Sequence, residues 1–206
     1  RAQAEGLAEG GVDVLWLETM YAMEELEAAI DAVKDIGLPV CATMSFDTAG
    51  KTMMGITPSN LAKRSKDLNL MGFGANCGIG APDLLATIND ISKSVEPETV
   101  VISKANCGIP EFVDGSIVYS GTEELMSEYV KIAMNSGANI IGGCCGTTFD
   151  HVRAMRKAMD EHIVTSAPTL EEIEEKVGAM SEGSRSIFKG DDSKPVKQRR
   201  SRRSRS

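Results

Sequence analysis

The chain has 206 residues, 42% of them hydrophobic and 4% aromatic, which suits a domain with an aliphatic core and excludes a disordered chain. Its net charge of -8 conceals a split, because residues 181–206 hold nine Lys/Arg against three Asp/Glu and leave 13 against 27 elsewhere; so acidic a body argues against a nucleic-acid-binding domain. No apolar run nears the ~18 residues that cross a bilayer and no signal-like segment is seen, while five unevenly spaced cysteines fit a reducing, cytoplasmic setting better than a secreted disulfide framework.

The chain opens at Arg1 inside a helical pattern, which points to a start lying upstream. The first strand expected is "VDVLWLE" (12–18), followed by a helix over "MEELEAAIDAVKDIG" (23–37). Next come a strand at "PVCATMSF" (39–46) and a helix at "TPSNLAKRSKDLN" (57–69), then "MGFGANC" (71–77) and "APDLLATINDISKSV" (81–95). The last two pairs are "TVVISKANC" (99–107) with "GTEELMSEYVKIAMNSG" (121–137), and "ANIIGGCC" (138–145) with a helix started by Thr147 and Thr148. Gly37 and Gly137 serve as stop signals, and Thr57, Pro82 and Thr122 as starts.

Strict βα alternation means a parallel sheet. No glycine-rich dinucleotide fingerprint follows any strand, and Glu18, Asp47, Cys77, Asn106 and the Cys144–Cys145 pair all fall at or just past strand C-termini, where a (β/α)₈ barrel builds its active site. Such a barrel takes ~250 residues and eight units, whereas residues 1–160 supply five. The expected organisation is therefore an incomplete barrel holding the last five units over 1–162, a short C-terminal helix over 163–180, and a disordered basic tail over 181–206. The tail "SKPVKQRRSRRSRS" leaves a weak prospect of nucleic-acid or anionic-surface attraction, although a solvated run is the plainer reading.

Cys144 and Cys145 are adjacent, and a disulfide between neighbours would be strained, since Cα atoms ~3.8 Å apart fall short of the ~4.4–6.8 Å that a relaxed bridge spans. Gly142, Gly143 and Gly146 allow the chain to turn so that both thiols could face one point, and Cys77 offers a third thiol among flexible residues at another strand end. Three thiolates leave one tetrahedral position of a zinc ion open, the arrangement of a catalytic site. On spacing alone a metal site and three buried core thiols stand level, because there is no CxxC pair. Among the other candidates, Cys41 reads as core and Cys107 as structural, and His151 belongs to a helix surface. Asp47 sits in a glycine-containing turn, Asn76 and Asn106 satisfy local backbone groups, and Met53–Met54 pack a core gap or a loop.

"GANCGIG", "SKANCGIPEF" and "IIGGCCGTTFDHVRAM", with "VDVLWLET" upstream, resemble the homocysteine S-methyltransferase family over residues 1–160, and "TMSFDTAGKTMMG" is most similar to its bacterial betaine-dependent branch. The resemblance implies a zinc-bearing (β/α)₈ barrel in which Cys77, Cys144 and Cys145 are the zinc ligands and Glu18 holds homocysteine. It further implies methyl transfer from betaine to the homocysteine thiolate, giving methionine, with methyltetrahydrofolate and S-methylmethionine as alternative donors. Competing with this are a thiol redox or metal-binding protein without catalysis, and a fragment whose basic tail binds an anionic partner. Oligomerisation stays open. The family's other substrate contacts lie on three βα units that have no counterpart here, so the chain by itself is expected to be inactive.

Overall fold

In the computed structural model, which describes residues 1–191, five strands form one parallel sheet. They are β1 (Leu15–Met20), β2 (Val40–Met44), β3 (Gly72–Cys77), β4 (Val101–Ala105) and β7 (Ile140–Gly143), in that spatial order. Every sheet strand falls within or across the segment expected for it. Between them run α2 (Met23–Val33), α3 (Pro58–Ser65), α4 (Ala81–Ser92) and α5 (Glu123–Asn135), with α6 (Phe149–Glu161) after β7 and α1 (Ala2–Glu9) before β1. The starts are those the sequence offers: Thr57 and Thr122 accept from the amides of Asn60 and Leu125, and Pro82 lies in the first turn of α4. Gly37 and Gly137 take positive φ after α2 and α5.

Because strand residues alternate, the register sorts the two faces of the sheet. Ala42, Met44, Phe73, Ala75, Val101 and Ala105 point to the helices and pack with Leu85 and Ile88 of α4 and Met126, Tyr129 and Val130 of α5. Tyr129 is wholly buried there, its hydroxyl 2.6 Å from that of Ser103. The opposite face carries Trp16, Cys41, Thr43, Gly74, Asn76, Lys104 and Gly142. It is the face on which a barrel interior forms, and Asn76, Lys104 and Gly142 occupy one level of it.

Two features differ from the sequence reading. Residues between β4 and α5 form an antiparallel hairpin, β5 (Pro110–Val113) and β6 (Ser116–Tyr119). Its turn is Asp114–Gly115, both at positive φ. The stretch read as a tail also begins with structure: after α7 (Leu170–Val177), residues Glu182–Phe188 form α8. Helix α8 packs on α4 and on the 48–51 turn, where a Cβ at Gly183 would lie 2.4 Å from the Ala49 Cα. The Ser181 amide donates to the buried Asp83 carboxylate at 3.3 Å, and Ile187 is buried. The apolar Ile187 and Phe188, lost in a segment dominated by charge, are what dock this helix; residues 192–206 lie outside the described residues. No described helix is long and apolar enough to cross a membrane.

Candidate metal centre

Parallel strands bring their C-terminal ends to one edge, and there Cys77, at the end of β3, meets Cys144 and Cys145, just past β7. Their sulfurs all lie within 4.8 Å of one another, with Cys77 and Cys145 at 3.9 Å, and the three form a group that could hold a metal ion. All five cysteines are free thiols. Ligands ~2.3 Å from a tetrahedral ion would sit roughly 3.8 Å apart, so the three sulfurs need shift little to share one.

Local backbone geometry explains how three such residues converge. Cys77 has φ 62°, which turns its side chain out of the strand alternation. Beyond β7 the Cys144 amide still donates to the Ala105 carbonyl at 2.7 Å, while the Cys145 carbonyl accepts from the Cys107 amide at 2.9 Å, so both residues are stitched to the end of β4. Gly146 then takes φ 77°, and a Cβ there would meet the Tyr119 ring at 2.4 Å. The hairpin thus rests on the cysteine turn through Tyr119, whose phenol is raised in pKa first by its hydrogen bond to Cys145 and then by burial.

Two buried asparagines hold the pieces in register. Asn106 donates to the Gly78 carbonyl at 2.9 Å and accepts from the Cys145 amide at 3.1 Å, tying the loop after Cys77 to the cysteine pair. Asn76 accepts from the Thr19 amide at 3.2 Å and donates to the Thr19 hydroxyl at 2.7 Å, with the Cys144 sulfur 3.7 Å from the same nitrogen. The sequence suggests local partners for both; these partners come instead from other strands.

Glu18 projects on the barrel-interior face and is paired with Lys104 of β4, whose ammonium also stands 5.2 Å from the Trp16 ring centroid. Lys104, Thr19 and Tyr119 were not singled out from sequence. A lysine at an alternate position of the buried strand "TVVISKANC" was a signal to find the first; the other two are distant in sequence from what they touch. Cys41 and Cys107 are buried, as read, and outside the group. His151 caps α6, its Nδ1 accepting from the Thr148 amide at 3.0 Å. Asp47 precedes a tight turn in which Ala49 and Gly50 have positive φ. Met53 and Met54 fill no core gap: each is 66% exposed, because the turn lifts them off the sheet.

Burial, then electrostatic repulsion from the neighbouring Cys144, pushes the Cys77 thiol up to about 11, opposed by a hydrogen bond from Asn106. A thiol so raised keeps its proton through neutral pH, and a metal must displace it. Metal affinity is therefore expected to climb at least ~tenfold per pH unit between pH 6 and 8, where Cys77 is protonated in the free protein. The metal-free chain behaves oppositely: Cys77 is raised above the ~8.5 of an unfolded thiol, so its contribution to stability holds below that pH and fades as pH rises toward 11. Chelator competition across pH checks the first slope, and a pH-independent affinity would refute it.

A family model described as homocysteine S-methyltransferase matches residues 1–159. The solved homocysteine methyltransferase MmuM from Escherichia coli superposes in its apo form with TM-score 0.60 and 19% identity, over 76% of this chain and 53% of that one. Its metallated form gives TM-score 0.60 and 19% identity over 75% and 48%. The fold is thus the corresponding part of that barrel, and this chain spans about half the length of those structures.

Proposed function

Since the chain belongs to the homocysteine S-methyltransferase family, we propose that it binds one zinc ion through Cys77, Cys144 and Cys145 and serves methyl transfer from betaine to homocysteine. In that reaction a sulfur–carbon bond forms, the carbon–nitrogen bond of the donor breaks, and the electron pair leaves on nitrogen. The observation that carries the proposal is the meeting of three sulfurs within 4.8 Å at the C-terminal edge of the sheet.

The residues divide the task. Cys77, Cys144 and Cys145 would hold the ion as thiolates, three ligands where a tetrahedral site takes four. Zinc, when bound, lets the substrate thiol lose its proton near neutral pH and remain a nucleophile. Asn76 and Asn106 keep the cysteines in place from behind, the supporting role on which ligand geometry depends. Glu18, beside Thr19 on the strand that Asn76 grips, would take the homocysteine ammonium, placing the amino acid with its sulfur toward the cysteines.

Betaine is favoured by the stretch 43–55, whose turn at Thr48–Lys51 follows β2 on the same edge of the sheet. Methyltetrahydrofolate and S-methylmethionine are the other candidates. The test offers each donor with homocysteine to the zinc-loaded chain and to a version extended by a relative's first three βα units. Methionine is expected from betaine with the extended version; turnover with folate and not betaine would overturn the donor, and turnover with none the function.

A further inference from the structure

The Glu18–Lys104 pair does more than the assigned role of Glu18 requires. Both residues project from the face opposite the one that packs on the helices. Lys104 is level with Asn76 on one side and Gly142 on the other, and Asn76 is the residue 3.7 Å from the Cys144 sulfur. Its ammonium thus belongs to the same level of the sheet as the support of the thiol cluster. Gly142 sets no side chain of its own beside Lys104; a Cβ there would already touch the Lys104 Cγ at 3.4 Å.

An ion pair in such a place adds little to folding, because partial desolvation offsets the attraction between the charges. Yet both remain reachable, with side-chain exposures of 21% for Lys104 and 40% for Glu18. Around them Trp16 supplies an apolar wall, and its indole N–H is buried with no hydrogen-bond partner. A carboxylate and an ammonium in contact beside an aromatic ring are complementary to a zwitterion, which carries the two opposite charges a few Å apart.

We propose that Lys104 is a carboxylate-binding residue of the substrate site, held by Glu18 until a zwitterionic ligand divides the pair and places its carboxylate on Lys104. This deepens the proposed function and rests on it, since Glu18 would receive the ammonium of the same amino acid. Both homocysteine and the betaine donor carry a carboxylate, and the chemistry of recognition is shared.

The test measures binding to the zinc-loaded chain by calorimetry, comparing the wild type with Lys104→Met. The ligands are homocysteine, 3-mercaptopropylamine, which keeps thiol and ammonium but lacks the carboxylate, and dimethylglycine added to the homocysteine complex as an unreactive stand-in for the donor. If the carboxylate is that of homocysteine, Lys104→Met weakens homocysteine by ~10–100-fold and leaves 3-mercaptopropylamine within about twofold. If it is the donor's, both thiols are unaffected and dimethylglycine weakens instead. Lys104→Arg, which keeps the cation, is expected to retain the discrimination between the two thiols, and it answers the question should Lys104→Met fail to hold zinc. Equal loss of both thiols, tighter homocysteine binding, or no change with any ligand would overturn the assignment. If neither the wild-type chain nor its version extended by a relative's first three βα units binds either thiol, the proposed function falls first, and this inference with it.

Discussion

Changing Cys77, Cys144 and Cys145 together to serine is expected to abolish stoichiometric zinc binding, and each single change to weaken it by more than ~100-fold. The supporting shell sets the scale: outer partners of metal ligands cost ~10–100-fold when altered, and a ligand itself must matter more. A serine hydroxyl stays protonated at neutral pH and replaces an anionic sulfur with a neutral oxygen, so the ion would keep two thiolates where it had three. No other residue stands ready to substitute, because among the described residues this is the one group of at least three potential ligands. Cys41→Ser is the control, since Cys41 is buried in β2 and outside the cluster. Elemental analysis after dialysis against a chelator reads the result. Zinc retained by the triple variant would sink the assignment.

How far sequence reached this site depends on what kind of signal each part leaves. The five βα units announce themselves through periodicity and caps, and the parallel order follows from alternation alone, so the edge that carries Cys77, Cys144 and Cys145 is legible from the sequence. The Asp114–Gly115 dipeptide between "PEFV" and "SIVY" is an equally plain hairpin signal, although the sequence reading places no element between 107 and 121. Helix α8 was hidden differently. Its packing rests on Ile187, set against the 48–51 turn, and on Phe188 beside it, two apolar residues among many charges, and composition averages such residues away. The cross-strand hydrogen bonds of Asn76 and Asn106 leave no sequence trace, because Thr19, Gly78 and Cys145 become their neighbours through strand order and register. The same is true of the pairing between Glu18 and Lys104, which lie 86 residues apart.

Gly74→Ala is expected to be the most damaging single methyl in the sheet, lowering stability by roughly 3–5 kcal/mol where ordinary overpacking costs about 1–3. A Cβ on Gly74 would stand 1.9 Å from the Ile102 carbonyl oxygen, 2.7 Å from its carbon and 2.8 Å from its nitrogen. All three are backbone atoms. A crowded side chain can change rotamer, but Ile102 is fixed between β3 and β7 by the ladder, in register with Gly74 on one side and Ile140 on the other. Relief therefore requires β3 and β4 to separate at the centre of the sheet. That separation would also displace Asn76 and Cys77, two and three residues further along β3, so metal binding should fall together with stability. Gly6→Ala serves as the opposite case: Gly6 lies inside α1 with nothing within 4 Å of its Cβ position, and there alanine should stabilise by about 0.5–1 kcal/mol. Urea denaturation of the two variants, with zinc content measured alongside, separates the effects. A Gly74→Ala chain with an unchanged midpoint and full zinc would mean that β3 and β4 are not held as closely at this level as the register places them.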